Sequence, residues 1–285
     1  MKKIITTLTL SFTYIFALNA TVSIMPEKEF LQAIGGDKIN ISLMVKAGDS
    51  PHTYEPKPSQ MVDISKSDIY FSIGVEFENV WLPKFANLNP KMQIVDISKD
   101  IEKIAMQKHE EHKDHDDHDE HNHGALDPHI WTSIANIKII VQNIYNALSE
   151  LEPQHREYFK ANLDRYIAVL EKTNKNIEDS LSSLLANRVF MVFHPSWGYF
   201  ARDYNLTQLA VEVEGKSPKP RELIYLIKEA KEERVRAIFT QPEFSDTISK
   251  VIATELNIPV VKVSPLAPKI LDTLATIAKI IAKSK

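Results

Sequence analysis

The feature that most limits the folds open to this chain is its rhythm. Short apolar runs alternate with amphipathic stretches in two sets of four, at 21–25, 38–45, 68–73 and 93–96, and again at 188–193, 208–213, 236–240 and 259–263. Strands alternating with helical patterns make βα units, and such units in series build a mainly parallel sheet flanked by helices. Two sets imply two α/β lobes. Between them Leu163, Ile167, Leu170, Ile177, Leu181 and Leu184 follow the period of a single long helix over 153–187. Pro153 suits its first turn. At 1.5 Å per residue the segment reaches about 50 Å, enough to run along both lobes as a stiff connector.

The N-terminus reads Met1, Lys2, Lys3 and then a short apolar run from Ile4 to Leu18, ending at Asn19-Ala20. Charge followed by a brief apolar stretch is the pattern of a cleaved export signal over 1–20, and five serine and threonine residues within the run make it a poor membrane span. The expected organisation is therefore a signal over 1–20, a first lobe over 21–152, a connecting helix over 153–187 and a second lobe over 188–285. With no cysteine among 285 residues there is no disulfide, no thiolate metal site and no N-terminal cysteine to carry a lipid.

Charge is uneven. Residues 109–123 hold six histidines, seven acids and one lysine, while the chain as a whole carries −4 and its main body is neutral. A neutral body lacks the clustered cations that nucleic acid demands. The 109–123 stretch has no apolar residue with which to offset its ordering entropy, and its imidazoles suit a weak, adaptable metal-collecting tether.

Outside that stretch stand four histidines. His52 lies in a loop after the run ending near Val45, and His194 directly follows another apolar run. Both therefore sit beyond the carboxyl ends of expected parallel strands, where α/β sheets bind ligands. His129 lies in Asp127-Pro128-His129-Ile130-Trp131, just before a helix expected near Ser133. Three imidazoles from the lobe edges can converge on one cleft and hold zinc at about 2.0 to 2.1 Å. His155, at the connector start, is expected to be exposed and is set aside. A fourth ligand must be oxygen: Glu243, Asp246 or water, although either acid could equally cap the following helix.

Other signatures fail. Gly215-Lys216-Ser217 lacks the first glycine of a phosphate loop, which is Ala210 here, and the chain has only seven glycines. His109-Glu110-Glu111-His112 has the wrong spacing for a helical zinc protease, and Ser196 follows Pro195 rather than the glycine pattern of a nucleophile elbow.

The ordered set Ile34-Gly35-Gly36-Asp37, Pro51-His52-Thr53-Tyr54-Glu55-Pro56, Asp127-Pro128-His129-Ile130-Trp131 and His194 with Gly198-Tyr199-Phe200 resembles the metal-binding solute-binding proteins of ABC importers, the periplasmic zinc-uptake type above all. The resemblance covers nearly the whole chain after the signal. It implies two α/β lobes joined by one long helix, with the metal in the interlobe cleft. His52 and His129 stand where the family has its first two ligands. His194 stands where zinc members keep histidine and manganese members tend to carry glutamate, and the histidine-rich loop stands where zinc members carry theirs. The resemblance further implies Zn²⁺ as transported ligand, a membrane permease with its cytoplasmic ATPase as partner, a periplasmic monomer, and no reaction. A manganese or iron carrier of the same family, a secreted zinc hydrolase with Glu243 as general base, and a surface metal store are the alternatives.

Overall fold

The computed structural model describes residues 17–106, 126–182, 184, 188–212 and 216–283. Four parallel strands, β1 (Leu18–Val22), β2 (Ile39–Leu43), β3 (Ile69–Ser72) and β4 (Gln93–Asp96), form the first sheet in the order β2-β1-β3-β4. The second sheet repeats that order as β6-β5-β7-β8, from β5 (Val189–Val192), β6 (Thr207–Ala210), β7 (Ile238–Thr240) and β8 (Val260–Lys262). All eight expected runs are strands. Their burial follows their place in the sheet: the inner strands β3 and β5 are buried along their length, while the edge strand β4 is largely exposed and the edge strand β8 half-buried.

The first strand begins earlier than its apolar signature suggested. Leu18, Asn19 and Ala20, read as the end of an export signal, instead pair with Ile39, Asn40 and Ile41 in the middle of the first sheet. Leu18 and Ala20 are apolar in either role, so hydropathy alone marks no border between an export signal and the strand. The rest of the expected signal lies outside the described residues.

Helices α1 (Met25–Gly35), α2 (Pro58–Lys66), α3 (Glu76–Leu88) and α4 (Ile134–Leu151) belong to the first lobe. The connector is α5 (Arg156–Leu181), preceded by a short 3₁₀ turn over Pro153–His155. It buries Leu163, Leu170, Ile177 and Leu181, four of the positions that set its period, and its 26 residues span about 39 Å. The second lobe adds α6 (Gly198–Asp203), α7 (Pro220–Glu232), α8 (Thr247–Leu256) and α9 (Ile270–Lys283). Although α9 ends the chain, it packs on α5, and the Ile270 N–H at its start donates to Glu29 Oε2 of α1 (2.9 Å). Glu29 Oε1 accepts from Tyr166 of α5 (3.1 Å). The lobes thus share their helices, and they share a core. Phe190 and Val192 of β5 face a cluster continuous with Phe30, Phe71 and Ile144 of the first lobe, while Val189, Met191 and Phe193 face a smaller cluster of the second lobe alone.

Among the described residues no helix is long and apolar enough to cross a membrane. The 109–123 segment lies outside the described residues.

Candidate metal centre

Three elements deliver three imidazoles to one place. His194 follows β5, where parallel strands end and the chain must turn. Gln241, at the matching end of β7, fixes that turn: its Nε2 donates to His194 O (3.1 Å) and Ser196 Oγ (2.8 Å). His129 precedes a 3₁₀ turn over Ile130–Thr132, which leads into α4 through Ser133, whose hydroxyl accepts from Asn136 N–H (3.1 Å) as the helix cap. His52 sits on the loop that joins β2 to α2.

One ligand nitrogen from each of His52, His129 and His194 lies within 4.8 Å of the others, and no carboxylate of the described residues shares that group. The His194 ring stands 5.3 Å from His52 and 5.2 Å from His129, centroid to centroid, both edge-on. Behind each ring stands an acid. His52 Nδ1 meets Glu76 Oε2 (2.9 Å), His129 Nδ1 meets Asp127 Oδ1 (2.8 Å), and His194 Nδ1 meets Glu212 Oε1 (2.8 Å). A carboxylate on Nδ1 fixes the tautomer with its hydrogen there and leaves Nε2 as the free lone pair, the arrangement that orients imidazoles toward metals. Consistent with that, His194 Nε2 is buried and has no hydrogen-bond partner.

The setting is apolar. Phe244 stacks on His194 at 5.2 Å and 25°, Trp131 meets His129 edge-on at 5.4 Å, and Pro51, Pro265 and Leu266 complete the walls. Trp131 also crosses the lobes, its Nε1–H donating to Pro265 O (2.7 Å). His129 and His194 are 5% and 8% exposed, whereas the His52 side chain retains 29%.

Glu243 lines this cleft, its Oε1 accepting from Ser264 Oγ (3.0 Å). Asp246 does not. It sits at the start of α8 and pairs with Lys250 (3.0 Å) and Lys262 (3.4 Å), whose hydrogen bonds, Lys250's first, and charges hold its carboxyl below the ordinary range. His155 is half-buried against Phe159 rather than exposed, and stands outside the group. Sequence reading missed Glu76 and Glu212 as partners. Glu212 follows β6 and Glu76 follows β3, at the same carboxyl edges that singled out the histidines, but nothing in the sequence pairs either acid with its histidine.

Residues 21–282 match the family described as zinc-uptake complex component A, periplasmic. A crystal structure of ZnuA superposes with a TM-score of 0.85 at 39% identity, over 94% of this chain and 99% of that one. The zinc-binding lipoprotein AdcA of Streptococcus pneumoniae is 27% identical over 252 residues, 87% of this chain but 50% of AdcA, so the chain spans half the length of that relative. The manganese ABC transporter substrate-binding lipoprotein PsaA of Streptococcus mitis is 27% identical over 80% of this chain and 73% of its own.

Proposed function

The chain belongs to the zinc-uptake complex component A family, metal-binding solute-binding components of ABC transporters rather than enzymes, and from that premise we propose that it captures Zn²⁺ in the interlobe cleft and hands the ion to a membrane permease driven by a cytoplasmic ATPase. The ligands in this reading are His52, His129 and His194 through Nε2. The observation that carries it is the donor set: three imidazoles, each backed by a carboxylate, with no acid in the group among the described residues. Nitrogen-rich sets suit zinc, whereas manganese prefers more oxygen. PsaA and AdcA, named for manganese and for zinc, are equally identical to the chain, so the support for zinc comes from the donor set.

Glu243 and water are the two candidates for the fourth position. In this reading the protein works as a monomer in the periplasm, freed from its signal. The 109–123 segment acts as a separate, weaker collector.

Competitive titration against a chromophoric chelator tests the proposal. With 109–123 deleted, one tight zinc site is expected, preferred over manganese by at least about a hundredfold. His129→Ala and His194→Ala should each weaken zinc by orders of magnitude. Equal manganese affinity overturns the choice of metal; tight zinc binding that survives both substitutions overturns the site.

A further inference from the structure

We propose that Tyr199 is a positioning residue for the metal centre: its hydroxyl, carried by the second lobe, fixes the main-chain carbonyl of Asp127, the first-lobe residue whose carboxylate aims His129. The inference rests on the zinc-capture reading and concerns how its ligands are held.

Asp127 Oδ1 accepts two bonds from one residue, the His129 backbone N–H and His129 Nδ1–H, each 2.8 Å. The angle of the imidazole therefore follows the placement of Asp127. That placement is not secured by the first lobe alone. Asp127 leaves a very short antiparallel ladder, in which Ala105 bridges Leu126 and Asp127 N–H donates to Ile104 O (2.9 Å). Such a stub is too short to hold itself. In a regular hydrogen-bonded antiparallel pair, both residues exchange both bonds. Here the return bond is relayed: Ile104 N–H donates to Tyr199 Oη (3.2 Å), and Tyr199 O–H donates to Asp127 O (2.8 Å). A phenol from the other lobe is built into the pairing.

Tyr199 is fully buried, and burial pushes its hydroxyl up to about 12, so it remains a donor throughout the neutral range. At its neighbour Gly198 the same acid comes close to the main chain, so that a Cβ there would stand 2.7 Å from Asp127 Oδ2. Both residues follow His194 on one short segment. The piece of chain that carries the second lobe's ligand thus also aims a ligand of the first, and the mutual angle of His129 and His194 is set across the cleft.

Tyr199→Phe keeps the ring and removes the hydroxyl. Zinc dissociation should speed up and affinity fall about tenfold. Nitrogen-15 shifts of His129 should report a mixture of tautomers in place of one. The loss should be non-additive with Asp127→Asn, which weakens the next link of the same chain, the carboxylate on His129 Nδ1, and additive with Glu212→Gln, which acts behind His194. Gly198→Ala, displacing the carboxylate instead, should weaken zinc in the same cycle. As a control, Tyr204→Phe removes a partly buried hydroxyl of the same helix region, bonded to Asn174 (2.6 Å), and should leave affinity unchanged. Wild-type affinity and a single His129 tautomer in Tyr199→Phe would overturn the proposal, as would additivity with Asp127→Asn. If His129→Ala and His194→Ala bind zinc normally, zinc capture at this site is what fails, and the His129 shifts of the metal-free Tyr199→Phe protein still decide the positioning role.

Discussion

At the scale of single residues, the three imidazole–carboxylate pairs differ in how firmly they hold. Asp127 and Glu212 are buried with their histidines, whereas Glu76 is 60% exposed beside the partly open His52. Water can replace Glu76 but reaches the other two poorly. Asp127→Asn and Glu212→Gln are each expected to weaken zinc about 10- to 100-fold, and Glu76→Gln by no more than a few-fold, in chelator competition. Protons compete with metal for each imidazole, so affinity falls as the solution is acidified, measured by the same titration over a pH series. The three histidines were legible in the sequence because each announces itself locally, by an apolar run before it or a proline turn beside it. Glu76 and Glu212 were not, because their partners lie 24 and 18 residues away and only the crossovers of a parallel sheet bring them together.

Among the elements, β1 and α1 carry the most testable chemistry. Glu27, at the start of α1, is fully buried, accepts from the Ser23 and Ile24 N–H groups (both 2.9 Å), and leaves Oε1 without a partner. Burial first, and the nearby Glu78 second, push its carboxyl well above the ordinary range. A group whose folded value is raised adds stability that is full below its unfolded value and lost as pH climbs through the folded one. Wild-type stability should therefore decline from mildly acidic to alkaline pH, and Glu27→Gln, permanently neutral, should flatten that decline in denaturant melts run at several pH values. The same strand bears on export. A cut after Ala20 would remove three of the five residues of β1 and their register with β2. Mass spectrometry of the exported protein is expected to find Leu18 retained, and a chain begun at Thr21 should melt several degrees lower. Strand existence was plain from the sequence; the start of β1 was not, since a signal and a buried strand demand the same residues.

For the whole molecule, the decisive features are the core that spans both lobes and the braces of α5 and α9 across it. Two-lobed proteins linked by flexible strands close widely on their ligands, but here Glu29 ties α1, α5 and α9 together, and Trp131 ties the lobes at the cleft. Zinc loading should change the radius of gyration by less than wide hinge closure produces, which small-angle scattering of the metal-free and loaded forms can measure. The long connector was readable from its leucine period, whereas the return of α9 onto the first lobe was not, because an amphipathic face tells that a helix packs but not on what.

The joint interior has a consequence for anyone wishing to divide this molecule. Severed within the connector, the chain would yield no pair of working fragments: each would expose the greasy surface that Phe190 and Val192 now press against their opposite numbers, and each should clump. Intact, it should melt in one calorimetric peak, not two.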